Sequence, residues 1–190
     1  MVRFDWYQGT VSRPVDDVLE RLSDLAPGLA ISHARGLQGY AQSTRLGSEE
    51  TGQVAAVWHG GHHPYPHVVL SGSWAQPGAE LIRAAWQFEH SVSRVDVCED
   101  FSDLGAFDRI QPHLVDAAIR HRVKVDTRGD HLVTKEGRTV YLGSPKSAVR
   151  LRLYDKAAEL RAGVNDAKLL AEIPDHLARL EAQVRAATRE

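Results

Sequence analysis

The segment Val149-Arg150-Leu151-Arg152-Leu153-Tyr154-Asp155-Lys156 alternates apolar and polar side chains. Successive side chains of a strand point to opposite faces. Burying Val149, Leu151 and Leu153 therefore presents Arg150, Arg152, Tyr154 and, if the strand lasts, Lys156 on the other face, and a tyrosine is set among cations. The same parity applies to two further segments. In Arg94-Val95-Asp96-Val97-Cys98-Glu99-Asp100-Phe101, burying Val95 and Val97 turns Asp96, Cys98 and Asp100 the other way. In Arg179-Leu180-Glu181-Ala182-Gln183-Val184-Arg185, burying Leu180, Ala182 and Val184 presents Arg179, Glu181, Gln183 and Arg185. If the three polar faces belong to one sheet surface, that surface holds Asp96, Asp100 and Glu181 beside Tyr154, Arg152 and Lys156.

The pattern extends outward from these strands. Residues 3–11 alternate like a strand, and Pro14 starts an amphipathic stretch with Val15, Val18, Leu19, Leu22 and Leu25 at helical spacing. Runs at 39–46, 53–59 and 67–71, separated by Gly and Pro breakers, read as a meander. A helix is expected over 79–88 after Gln76-Pro77-Gly78, with Leu81, Ile82, Ala85, Trp86 and Phe88 around one side. A strand at 93–101 leads to a helix around 114–122. Strands follow at 138–142 and 148–154, then a short helix near Ala157, a loop over 163–174 and a last strand at 178–184. The expected class is α+β, a mostly antiparallel sheet with helices on one face, forming a single domain over 1–190 with no internal repeat.

Composition narrows the function classes. With 190 residues, 43% apolar and 25% charged, the chain can bury a core and is neither disordered nor membrane-spanning. The start, MVRFDWYQGT, lacks the apolar run of a signal peptide, so a cytoplasmic location without membrane partners is expected. Cys98 is the only cysteine, which excludes an internal disulfide and a cysteine-built zinc cage. Net charge is −2, but residues 119–156 carry ten Lys/Arg against four Asp/Glu. That excess is suited to phosphates, with Arg150, Lys146, Arg122 and Lys124 as candidate DNA contacts.

Phosphodiester transfer is the chemistry that uses such a set. Oxygen-rich carboxylate clusters suit Mg²⁺ or Mn²⁺, and cations offset charge developing at phosphorus. Tyrosine, with an ordinary pKa of about 10, is a slow nucleophile until a cation or metal favours the phenolate. Lys156 and Arg152 suit that role. The competing reading of the same residues is a packing tyrosine in a solvent-facing row of charges.

These residues also carry a likeness. The chain resembles the replication initiation factor family of plasmids, integrative elements and phages, tyrosine-dependent rolling-circle initiators and relaxases related in fold to HUH nucleases. The matching blocks are Gly39-Tyr40, Val57-Trp58-His59-Gly60-Gly61, Leu70-Ser71-Gly72, Ser93-Arg94-Val95-Asp96 with Glu99-Asp100-Phe101, Thr139-Val140-Tyr141-Leu142-Gly143-Ser144 with Lys146-Ser147, Arg152-Leu153-Tyr154-Asp155-Lys156 and Leu180-Glu181-Ala182-Gln183-Val184-Arg185. The resemblance implies an origin-specific, metal-dependent DNA nickase and strand transferase with Tyr154 as nucleophile. It gives Asp96, with Glu99 or Asp100, and Glu181 as metal ligands, and origin DNA, single-stranded or extruded at the nick, as partner. A host helicase and a homodimer are the further partners that such a role suggests. Parity points Glu99 to the core side, so a bulge is needed to make it a ligand.

The sequence departs from the family at Pro145, where relatives often have Arg, and at Val69, where many carry an acid; His67 shares that strand face and is the substitute ligand. The chain is expected to lack the C-terminal extension of longer relatives. Tyr141 is the rival nucleophile and reads as structural. His59, His62 and His63 around Pro64-Tyr65-Pro66 do not form the histidine-apolar-histidine metal motif and read as a polar turn. Core packing explains the four tryptophans as well as base-stacking platforms do. Two alternative functions stay open: a non-catalytic DNA-binding relative, and a metal nuclease that uses water.

Overall fold

The computed structural model describes residues 1–25, 28–48, 52–164 and 167–186. The fold is α+β, with antiparallel strands and helices packed on them. The chain divides into two compact units: an N-terminal one, Arg3–Asp96 with Arg185–Glu190, and a C-terminal one, Val97–Val184 with Met1–Val2.

The N-terminal unit contains β1 (Arg3–Val11), α1 (Val15–Ser23), β2 (Ala30–Arg35), β3 (Gln42–Ser48), β4 (Gly52–His59), β5 (His67–Ser71), a single 3-10 turn (Gly72–Trp74), α2 (Ala75–Trp86) and the start of β6 (His90–Phe101). Its strands are ordered β2-β3-β4-β5-β1-β6. Pro14 supplies a preset φ just before α1, and Asp16 and Asp17 complement the positive end of the helix. The helix buries Val18 and Leu22. These join Ile82 of α2 and Tyr7, Val11, Leu46, Val57, Val68 and Leu70 of the strands in one apolar cluster. Each fully buried aliphatic side chain contributes roughly 1.5–3 kcal/mol. On the opposite sheet face Ala56, Trp58 and Val69 form a smaller cluster with Trp6 and Tyr40 against it.

The C-terminal unit continues β6 and adds α3 (Ala106–Arg120), β7 (Val125–Arg128), β8 (Thr139–Leu142), β9 (Val149–Asp155), α4 (Lys156–Ala162), α5 (Ala167–Glu172) and β10 (Ala178–Arg185). The order is β6-β10-β9-β8-β7. Phe107 and Ala118 of α3 are buried with Val140, Leu142 and Leu153, and Ile110 and Leu114 pack against the same cluster. The side chains between those apolar strand positions occupy the opposite face, which carries the site. Each unit thus opens with the order strand, helix, antiparallel meander, a correspondence of structure for which the sequence shows no repeat.

Several expectations are corrected. Residues 39–40 do not begin a strand. Gly39, at φ +89°, and Tyr40 belong to the turn between β2 and β3, closed by Gly36 N–H to Ala41 C=O at 3.2 Å. Helix α2 starts at Ala75 and takes in Pro77 as its third residue, where a missing N–H has no helical partner to lose. It ends at Trp86, leaving Phe88 92% exposed rather than on the buried side. Helix α3 is longer than expected and runs through Pro112, because the Phe107, Ile110, Leu114 and Ala118 stripe is buried along its length. Strands β2 and β7 and helix α5 have no counterpart in the sequence pattern, and α5 falls where a loop is expected. No helix among the described residues is long and apolar enough to cross a membrane.

Candidate functional site

Tyr154 lies at the centre of the sheet face opposite the α3 cluster in the C-terminal unit. In the antiparallel register Tyr154 of β9 sits between Arg179 of β10 and Thr139 of β8, while Arg152 sits between Glu181 and Tyr141. The Arg152 guanidinium carbon is 4.0 Å from the Tyr154 ring centroid and the Lys156 Nζ is 5.8 Å away. The expected juxtaposition of a tyrosine with Arg152, Lys156, Glu181 and Asp100 is therefore formed within this unit.

The cations and carboxylates of this face are paired with one another. Arg152 donates to Glu181 at 2.7 Å. Arg179 grips Asp100 with a fork, Nε at 2.6 Å and Nη2 at 3.0 Å. Glu181 and Arg179 are 5% and 6% exposed, so one partner of each pair is withdrawn from water while Arg152 and Asp100 stay partly exposed. Lys156, the first residue of α4, is tied to Glu159 one turn on, and Asp155 caps that helix by accepting from Ala158 N–H at 2.9 Å. The strand parity of Val149–Asp155 ends where this cap begins, which brings Lys156 round to the tyrosine from a helix.

Burial dominates the electrostatics of Tyr154. At 4% exposure its phenol is pushed well above the ordinary tyrosine value. Arg152 and Arg179 pull in the other direction, toward the phenolate, and Glu159 and Glu181 oppose them. Burial also works against the charge of Arg152, but the hydrogen bond and charge of Glu181 more than offset it, and its pKa stands above the ordinary arginine value.

The remaining acids expected as ligands have cationic partners of their own. Asp96, in the N-terminal unit, is 2% exposed and held by the Nε and Nη2 of Arg94, whose guanidinium carbon lies 5.1 Å from the Trp6 ring centroid. Glu99 is bound by the amino group of Met1 at 3.0 Å, and β6 runs unbroken from His90 to Phe101 past it. His67 is buried, shares a hydrogen bond with Thr10 at 3.2 Å and stacks on Trp58. Burial, and secondarily His63, lowers its pKa. Among the described residues no three His, Cys, Asp or Glu converge as a metal cage. With every expected carboxylate engaged by a cation, the described residues do not fit Mg²⁺ or Mn²⁺.

Of the expected DNA contacts, Arg150 projects from β9 with its guanidinium carbon 4.0 Å from the Tyr141 ring. Lys146 is exposed in the turn after β8, where its N–H donates to the Ser144 hydroxyl at 3.2 Å. Arg122 and Lys124 are exposed between α3 and β7, and the Lys124 carbonyl accepts from Gly143 N–H at 2.9 Å. These three basic residues therefore occupy adjoining connections of one unit. Parity places Arg179 on the correct face but gives it no role, although its sharing of that face with Glu181 is the available signal. Glu159 is absent from the sequence-based set, and its spacing of three from Lys156 is the signal that could reveal it.

No protein-family model matches the sequence, and no curated protein matches it. The fold does have a match among solved structures. A structure described as a rolling circle replication initiator protein from Geobacillus stearothermophilus is similar over 97% of this chain and 74% of its own length, with a TM-score of 0.64 and 21% identity. At that identity the likeness is one of fold.

Proposed function

We propose that this chain initiates rolling-circle replication as a DNA nickase and strand transferase that uses Tyr154 as its nucleophile. The observation that carries the reading is a buried tyrosine set between two arginines, Arg152 over its ring and Arg179 across from it in register. The fold likeness supports the same reading and supplies the DNA partner by analogy. In the reaction the Tyr154 oxygen attacks phosphorus, the bond to the 3′ oxygen breaks, and that oxygen takes a proton and leaves as a 3′ hydroxyl. The new phosphotyrosine conserves the bond for a later transfer back. The phenol must lose its proton as the bond forms. Arg152 and Arg179 favour the resulting charge and offset that of the phosphate.

The reading assigns Asp100 and Glu181 first to holding those arginines, by the pairings above. Their expected service as ligands for Mg²⁺ or Mn²⁺, with Asp96 and Glu99, would require the ion to displace arginine or amine partners. The pairing of every carboxylate favours one second reading, a relative that occupies DNA without cutting it. One experiment separates the two. The full chain is incubated with a single strand bearing the origin of its own element, labelled on either side of the nick, in Mn²⁺ and in chelator. A covalent adduct carrying only the fragment 3′ to the nick supports transfer through tyrosine. Salt-sensitive binding with no adduct and no cleavage in either buffer leaves the binding module.

A further inference from the structure

The geometry points to a phosphate clamp beside the Tyr154 site, formed by Arg128 and Arg150 across the ring of Tyr141 and fitted to the backbone of an unpaired DNA strand. The inference rests on the proposed function and adds to it a site for the strand outside the reacting phosphate. Tyr141 lies at the middle of β8, opposite Asp126 of β7 and Arg152 of β9. Two of its diagonal neighbours on this face are arginines, one on each flanking strand, with guanidinium carbons 5.6 Å (Arg128) and 4.0 Å (Arg150) from the ring centroid. An aromatic ring between two guanidinia orients both and lowers the cost of holding like charges in one place.

What marks this pair is the contrast with the rest of the face. Arg152 and Arg179 each have a carboxylate, whereas neither Arg128 nor Arg150 has an ion-pair partner among the described residues. The Nε of Arg150, like that of Arg152, is buried without a hydrogen-bond partner, a state that costs free energy, but of the two only Arg150 also lacks a carboxylate among the described residues. Asp126 is exposed across from Tyr141 and within ion-pair distance of neither arginine. A phosphate bound here by two guanidinia would satisfy them together. Tyr141 and Tyr154 are diagonal neighbours, about 7–8 Å apart on the sheet, so a strand held at the clamp presents an adjacent phosphate to Tyr154.

The test is the salt dependence of binding of the full chain to a fluorescent single-stranded oligonucleotide of mixed sequence. For single strands, the slope of log affinity against log salt is about 0.7 per neutralised phosphate. The Arg128→Gln/Arg150→Gln double variant is expected to bind more weakly at low salt with a slope shallower by about 0.7. Tyr141→Ala should lose part of the same slope and Tyr141→Phe should restore it, with thermal unfolding verifying that each variant is folded. An unchanged slope in the double variant overturns the clamp, as does tighter binding of the matching RNA than of the DNA. If the wild-type chain forms the Tyr154 adduct while the slope is unchanged, the clamp fails and the proposed function stands. A slope change without any adduct leaves the clamp and removes the transferase. No binding by the wild type rejects both.

Discussion

Arg152 stands directly opposite Glu181 across β9 and β10, donates to it at 2.7 Å, and keeps its guanidinium carbon 4.0 Å from the Tyr154 ring centroid. One side chain thus joins a buried carboxylate to the candidate nucleophile. Removing the carboxylate leaves a positive charge that burial already opposes. Glu181→Ala is expected to destabilise the protein by about 1–3 kcal/mol, with Glu181→Gln, which keeps an acceptor, losing less. Urea unfolding of both variants checks the order; equal losses would show that the charge of Glu181 has no special part.

The fork between Arg179 and Asp100 predicts that charge alone will not suffice. Arg179→Lys keeps the cation but cannot make two parallel hydrogen bonds to one carboxylate. A loss of about 1–2 kcal/mol is expected, with lower adduct yield from the misplaced cation opposite Tyr154. Full stability and full yield in Arg179→Lys would rule out a geometric role.

Alkaline pH should reveal the buried phenols. Burial raises Tyr154 above the ordinary value and raises Tyr7 to about 12. Below about pH 10 both states of the protein keep these protons. Above it the unfolded chain releases them while the folded chain holds them, so the unfolded state binds fewer protons and stability falls with rising pH up to the folded values. Urea midpoints compared at roughly pH 9 and roughly pH 11 should show this fall, and Tyr154→Phe should lessen it. An equal fall in Tyr154→Phe would mean that its phenol titrates as an exposed one.

Gly129 closes the loop that follows Arg128. It has φ +79°, and a Cβ there would stand 2.3 Å from the Gly137 carbonyl oxygen. Gly129→Ala should therefore cost about 1–3 kcal/mol and weaken DNA binding through displacement of Arg128. Thermal unfolding with the oligonucleotide assay measures both, and a fully stable variant would contradict the packing of this hairpin.

Much of this face is legible in the sequence because parity is a local property. Leu151 and Leu153 determine where Arg152 and Tyr154 point, and Leu180 and Ala182 do the same for Glu181. What parity does not reveal is which charge takes which partner. Asp96, Asp100 and Glu181 look alike as potential ligands in a sequence, yet Asp100 and Glu181 meet arginines of neighbouring strands while Asp96 meets Arg94 of its own strand. The two strands without a sequence signal are edge strands, β2 and β7, whose mostly exposed residues carry no apolar alternation. Pro112 shortens the helix that the sequence suggests for α3, since local propensity knows nothing of the apolar stripe that holds both halves on β8 and β9.

The proposed chemistry depends on which oxygen receives the phosphate. The most direct measurement is the yield of denaturant-resistant protein–DNA adduct on an origin-bearing single strand, compared between the wild type and Tyr154→Phe. The proposed function predicts an adduct in the wild type and none in Tyr154→Phe. An adduct that persists in Tyr154→Phe and disappears in Tyr141→Phe would contradict it and move the nucleophile one strand over.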